Sequence, residues 1–378
     1  MGVLWRVELT YLAGLVYAPG PGPPFDLGFV VTLLVAGSGC ECTSFADQSQ
    51  VGLALAYAVP VAGIAQMALT WIAARRAGYT LKLGWPRLTP ELKRLAIIAA
   101  PAALAGGVVQ VNLLVGRQVA SFFDGAVAWL SYADRLYQLP LGVVGIAIGI
   151  VLLPDLSRKL AAGDDAGGQN AFNRASEISL ALTIPAAIAL FVVPVPIVSV
   201  LFERGAFDSD DTAATALAVG LYGLGLPAFV MQKTLQPLFF AREDTKRPFY
   251  YAVAAMILNA AIAIGLAPVI GFAAAAIGTT LTGWAMVAML MIGARNMGAA
   301  AHFDARFRRR LWRIVVASLG MGAVLYATAL FLTPFFAAGP LRFVALLVLV
   351  LIGMISYFGF GQMLGAFRLS EFRQNLRR

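Results

Sequence analysis

The chain has 378 residues, 60% of them hydrophobic and 12% charged, with a mean hydropathy of +0.81. That balance excludes a soluble domain, and apolar runs of about 20 residues recur along almost the whole length, so the sequence predicts an all-α integral membrane protein. The short alternating strands of a β-barrel are absent from the pattern, and the net charge of +9 is explained below by topology rather than by a nucleic-acid partner.

Ten membrane spans are expected at residues 27–43, 50–74, 96–120, 126–156, 175–202, 211–240, 247–268, 272–296, 311–334 and 340–366. Residues 1–50 read as a poorly specified lead-in. PGPGPP at 19–24 and AGSGCECTSFADQSQ at 36–50 interrupt it, and it has no cleavable-signal pattern. From Val51 onward the spans are regular and joined by short polar connections, forming one membrane domain. Cys40 and Cys42 are the only cysteines and His302 is the only histidine, so metal ligation has almost no material and no metal or cofactor is expected.

Orientation follows from the basic residues, which cytoplasmic loops retain. Alternate connections carry 22 of the 28 Lys and Arg, among them Arg75, Arg76, Arg158, Lys159, Arg242, Arg247 and Arg306, Arg308, Arg309 and Arg310. That side is expected to be cytoplasmic, with both termini on it, where it can also attract anionic lipid headgroups. RFRRRLWR at 306–313 therefore reads as a juxtamembrane anchor.

Several spans contain residues that break helices: Pro101, Pro140, Pro185, Pro194 with Pro196, and GLYGLGLP at 220–227. In membranes such breaks are tolerated where neighbours or cavity water satisfy the freed backbone groups, so the prolines point to hinges or a cavity. Gly106, Gly107, Gly142, Gly145 and Gly149 fit close helix packing.

The most informative residues are Asp134 and Arg135, a charged pair inside the 126–156 span. Ionisable groups at membrane depth are costly and usually face a protein interior or watery cavity. The planar donor fork of Arg135 suits phosphate or carboxylate oxygens, and Asp134 could hold it ready when no cargo is present. Gln138 lies one turn beyond Asp134 on the same face. The alternative is an ion pair that only fixes packing.

Lys233, between Gln232 and Gln236 in the sixth span, is a second anion contact, or else a lysine snorkelling to the cytoplasmic interface. Gln110, Asn112 and Arg117 in QVNLLVGRQ form a third polar cluster, with Arg117 alternatively at the outer interface. Asp208, Asp210 and Asp211 precede a helix and read as capping residues rather than a Mg²⁺ site. No nucleotide-binding P-loop is present, so neither ATP-driven transport nor a metal-dependent membrane enzyme is indicated.

QVNLLVGRQVASF at 110–122, SYADRLYQLPLGVVGIAIGIVLLPDLSRK at 131–159, VLFERGAFDSDDT at 200–212 and QKTLQPLFFAREDTKRP at 232–248 resemble the MurJ (MviN) lipid II flippases of the MOP exporter superfamily. The resemblance runs from about residue 51 to the C-terminus. It implies two six-helix lobes around a central cavity, followed by two helices that form a lipid-binding groove.

The ten spans would then be family helices five to fourteen of an incomplete MOP-type two-lobe flippase. Residues 51–94 would be a remnant of the N-terminal lobe with its cytoplasmic linker, 95–300 the C-terminal lobe, and 301–378 the two last helices and a basic tail. The implied function is alternating-access transfer of lipid II, the undecaprenyl-diphosphate-linked cell-wall precursor, across the bacterial plasma membrane, a transport activity and not an enzymatic one. The implied role of Arg135, beside Asp134, is to hold the diphosphate, and Gln138 stands where many relatives carry Glu.

Two departures matter. The first four family helices are missing, which predicts a truncated or frameshifted product that transports poorly or not at all. Arg117, Asn259 and Ala263 supply no carboxylates where some relatives are thought to bind a cation, so no sodium site is expected. Competing readings are an exporter of another polyprenyl-linked saccharide or of a drug, and a non-transporting membrane scaffold. Protein partners are not indicated.

Overall fold

A computed structural model describes residues 57, 60–61, 63–72, 75–76, 107–108, 111–336 and 341–365. The chain divides into two compact units, Met1–Leu88 and Thr89–Arg378. In the first unit the described residues are helical and include the apolar helix Gly63–Ile72, after which the Arg75 guanidinium lies 5.5 Å from the centre of the Trp71 ring. The expected span at 27–43 falls outside the described residues, as do Cys40, Cys42 and Pro101.

In the second unit every regular element among the described residues is helical. A helical stretch at 111–120 precedes α1 (Ala126–Pro140), a π-helix (Leu141–Ile146), α2 (Ala147–Ala161), α3 (Asp165–Val192) and α4 (Pro194–Phe202). Then come α5 (Ser209–Phe240), α6 (Lys246–Ile270), α7 (Ala273–Ala294), a 3₁₀ turn (Ala299–Ala301), α8 (Ala305–Phe336) and α9 (Leu341–Met363).

Six of the described helices are long and apolar enough to cross a membrane: α3, α5, α6, α7, α8 with its preceding turn, and α9. The multi-pass, all-helical class is therefore as expected, but the count of ten spans is not reproduced. Two expected spans are each divided. The one at 126–156 becomes α1, the π-helix and α2, because Pro140 has no N–H to donate to the preceding turn. The one at 175–202 breaks at Val193, where Pro194 and Pro196 start α4.

The centre of this unit is α5, which packs against α1, α2, α3, α4 and α7. In lipid, helices associate through close contact and polar ties rather than hydrophobic burial, and α5 supplies both. Gly223 admits α3: a Cβ there would lie 3.0 Å from Leu190 Cβ and 3.2 Å from the Ala187 carbonyl. Three side chains tie α5 to α7. Thr280 Oγ1 donates to Leu221 O at 2.7 Å, Trp284 Nε1 to Leu224 O at 3.1 Å and Gln232 Nε2 to Gly283 O at 3.0 Å.

The start of α5 is fixed by Asp208, which accepts from the Asp210 and Asp211 amides in a capping box, as the sequence predicts. Asp211 also accepts from Trp129 Nε1 of α1 at 2.6 Å. The other end is closed by the FFAREDTKRP segment, where Arg242 donates to Leu238 O at 3.0 Å and to Met297 O at 2.6 Å.

The α8–α9 hairpin lies on α3, around Met321, Leu325, Leu349 and Tyr357. Its basic end is anchored by one buried carboxylate: Glu177 of α3 meets Arg306 Nε at 3.2 Å and Arg310 Nη1 at 3.0 Å. The basic run at 306–313 is therefore partly a clamp between helices, with Arg308, Arg309 and Trp312 left exposed.

Candidate functional site

The helix α1 turns two very different sides outward and inward. Its buried side, Ala126, Leu130, Ala133 and Leu136, packs into the core around α5. Its exposed arc carries Ala128, Ser131, Arg135 and Gln138, followed by partly exposed Gly142, with apolar Val127 at one edge and Leu139 and Val143 at the other. Elsewhere the outward faces are strongly apolar, as with Ile257, Leu258 and Ile264 on α6 or Leu347, Leu351 and Ile355 on α9. A polar and small-residue arc on a membrane helix is the composition expected beside water rather than acyl chains.

Arg135 is exposed in the middle of that arc, and its side chain makes no hydrogen bond or ion pair among the described residues. The expected pairing with Asp134 is thus not observed. Consecutive helical residues point about 100° apart, and Asp134, half-buried, finds donors on its own side instead. Gln138 Nε2 donates to Asp134 Oδ2, and Tyr137 stands one turn along on the side facing α5.

The site extends beyond α1. Arg117, exposed on the 111–120 helix, lies close enough to Asp134 for a direct electrostatic interaction, as does Arg135. The side chain of Arg117 is also without a hydrogen bond or ion pair among the described residues. Tyr222 of α5, buried, stands behind Tyr137 with ring centres 5.1 Å apart.

Lys233, exposed on α5, has its stem against the π-helix: a Cβ at Gly145 would make ordinary contact with its Cγ at 3.4 Å. Gly142, by contrast, would place a Cβ in open space, so its role is not helix packing. Arg135 and Gly145 are ten residues apart, about 15 Å along the helix, so the two cations flank a stretch of lobe surface rather than share one point. Gln232 does not join Lys233, being committed to Gly283.

The third polar cluster is dispersed. Gln110 lies outside the described residues. Asn112 faces α6, accepting from Asn259 Nδ2 at 2.8 Å, while Asn259 is buried with its Oδ1 unpartnered near Gly278, and Ala263 one turn along is fully buried. Among the described residues no group of three or more His, Cys, Asp or Glu could hold a metal.

Tyr137 and Tyr222 belong to the site and were not singled out from the sequence. Tyr137 could have been found from its position three residues after Asp134 on a helix. Tyr222 carried no signal.

The model of the family described as lipid II flippase MurJ matches residues 25–350. The chain belongs to the MurJ lipid II flippase family. A probable lipid II flippase MurJ from Rhizobium tropici is 41% identical over 336 residues, 88% of this chain and 63% of the relative. One from Rhizobium meliloti (strain 1021) is 40% identical over 353 residues, 93% of this chain and 66% of the relative. The chain thus spans about two-thirds of the length of these MurJ relatives.

Its fold is similar to the solved structure of a lipid II flippase MurJ in an inward closed conformation. The TM-score is 0.66 and the identity 24%, over 93% of this chain and 68% of that one. That likeness is one of fold, and the polar arc of α1 rests on this chain's own residues.

Proposed function

We propose that this chain acts in moving lipid II across the bacterial plasma membrane by alternating access, and that Arg135, Arg117 and Lys233 receive the lipid-linked diphosphate. The observation that carries this reading is the polar arc of α1, where an exposed guanidinium without a bonded partner among the described residues stands in a lobe whose other outward faces are apolar. A guanidinium there is costly unless water or an anion meets it. A diphosphate, with several anionic oxygens, suits a planar donor fork assisted by neighbouring cations. The basic connections are taken as cytoplasmic and both termini as lying on that side.

The reading also accounts for the Asp134 environment. A cavity built for a cationic drug would present net acidic groups, whereas Arg117, Arg135 and Lys233 outnumber the single carboxylate. The lobe would hold the pyrophosphate while the membrane-facing apolar surfaces accept the prenyl chain.

The test is direct binding. The purified chain in lipid nanodiscs is titrated with lipid II, wild type against Arg135→Ala and Arg135→Lys. Losing charge-assisted hydrogen bonds of about 1.5–3 kcal/mol weakens binding about tenfold to a hundredfold in Arg135→Ala. Arg135→Lys recovers part of it, because the charge remains while the fork is lost. Binding that ignores both substitutions, as a scaffold would show, overturns the reading.

A further inference from the structure

Three polar side chains stand together on α1: half-buried Asp134, and Arg135 and Gln138, both exposed. Viewed down the helix, Gln138 falls about 40° from Asp134 and about 60° from Arg135, between the two and one turn further along. An amide at that vertex has two options. Its N–H can donate to the carboxylate, or its carbonyl oxygen can accept from the guanidinium. In this structure Nε2 donates to Asp134, and Arg135 makes no hydrogen bond or ion pair among the described residues.

That choice matters for an anionic cargo. A carboxylate next to a guanidinium, where bulk water is limited, is drawn to pair with it, and a phosphate arriving there would have to displace the pair. Here the carboxylate is held by an uncharged donor instead. The bond satisfies an oxygen of Asp134 without consuming a cation.

Resting on the diphosphate reading above, the geometry points to Gln138 as a positioning residue: its Nε2, bonded to the Asp134 carboxylate, keeps that carboxylate off Arg135, so that the guanidinium stays open for the lipid-linked pyrophosphate. Neutrality at 138 is essential to this role. A glutamate there would repel Asp134 and, three residues from Arg135, take the guanidinium itself. A leucine would fill the space without donating, and Asp134 would turn to Arg135. Gln138 need not touch the cargo at all, which separates its role from that of Arg135.

The experiment is a mutant cycle read by affinity. The purified chain in zwitterionic nanodiscs is titrated with undecaprenyl diphosphate, using wild type, Gln138→Leu, Gln138→Glu, Asp134→Asn, the double variant of Asp134→Asn with Gln138→Leu, and Arg135→Ala. Gln138→Leu is expected to bind about threefold to fivefold more weakly, the scale on which a partly solvated ion pair at Arg135 competes. Gln138→Glu is expected to bind about tenfold more weakly, because the new carboxylate adds its own charge beside the guanidinium. In the Asp134→Asn background Gln138→Leu is expected to cost nothing, since the competing carboxylate is gone.

An equal loss from Gln138→Leu in both backgrounds would mean that Gln138 contacts the cargo itself, and it overturns the inference. So does the absence of any loss in the single variant, which would leave the amide a helix-stabilising contact only. Arg135→Ala distinguishes the two levels: if it weakens binding while Gln138→Leu does not, only the positioning role fails. If Arg135→Ala has no effect, the diphosphate reading fails and takes this inference with it. Should Gln138→Leu prove unfolded, Gln138→Glu carries the test, and binding as tight as wild type overturns the proposal.

Discussion

At the scale of single residues, the polar groups on this lobe divide into those already satisfied and those left open. Asn112, Gln232, Arg242 and Glu177 are each committed to a neighbouring helix. Arg117, Arg135 and Lys233 are not committed to any among the described residues. Charged groups on a membrane protein usually meet water or an anion, so the uncommitted ones are where a ligand is to be sought. The cost of Arg135→Ala in lipid II affinity measures one of them, and the partial recovery in Arg135→Lys separates the fork from the charge.

Much of this was legible in the sequence. An ionisable pair within an apolar stretch announces itself, as does Lys233, and Asp208, Asp210 and Asp211 read as helix-capping residues, a role that Asp208 and Asp211 fill in the structure. What the sequence did not contain was the partner of each group. Asp134 next to Arg135 suggested an ion pair, but side-chain direction on a helix set them apart and gave Asp134 to Gln138. Asn112 and Asn259 are 147 positions apart, a separation no local pattern can bridge.

At the scale of elements, the decisive feature is the passage from α1 through the π-helix to α2. Pro140 removes one donor, the widened turns of 141–146 absorb the mismatch, and Gly145 inside them lies against the stem of Lys233 of α5. Pro140, Pro194 and Pro196 were readable as breaks, whereas α3 and α5 run unbroken through Pro185 and through GLYGLGLP; the π-helix after Pro140 was not readable, since a π segment has no composition of its own. Gly142 and Gly145 read alike in sequence, yet one faces open space and the other a lysine stem.

A substitution tests this arrangement. Gly145→Leu forces the Lys233 stem aside and is expected to weaken undecaprenyl diphosphate binding by the same factor as Lys233→Ala, on the order of threefold to tenfold for one partly solvated charge. Gly142→Leu, with room around it, is expected to leave affinity unchanged. Equal effects at the two glycines would show that helix distortion, not the lysine, is being measured.

At the scale of the whole molecule, the described part of the second unit is a bundle around α5 with a separate α8–α9 hairpin held on α3. The hairpin's attachment at the basic end depends on Glu177, whose side chain is 6% exposed between Arg306 and Arg310 at 43% and 31%. Breaking a fully buried pair costs about 3–5 kcal/mol, and these partly solvated arginines lower that to about 1–2 kcal/mol. Glu177→Gln is therefore expected to raise hydrogen exchange in the first two turns of α8 and to lower the thermal midpoint slightly. Unchanged exchange there would mean that apolar contacts alone hold the hairpin.

The membership of the chain in the MurJ family and the orientation proposed from its basic loops both give the polar arc of α1 a purpose, but the central claim is physical: that arc faces water within the membrane. It is tested most directly by thiol accessibility in a variant with Cys40 and Cys42 replaced by serine. Single cysteines are placed at Ser131 and Gln138 on the arc and at Ile264 on the apolar face of α6. Labelling with a charged, membrane-impermeant thiol reagent is expected at 131 and 138, slowed by undecaprenyl diphosphate, and absent at 264. Labelling at 264 but not at 131 or 138, or labelling of the arc that the pyrophosphate lipid leaves untouched, would contradict the account.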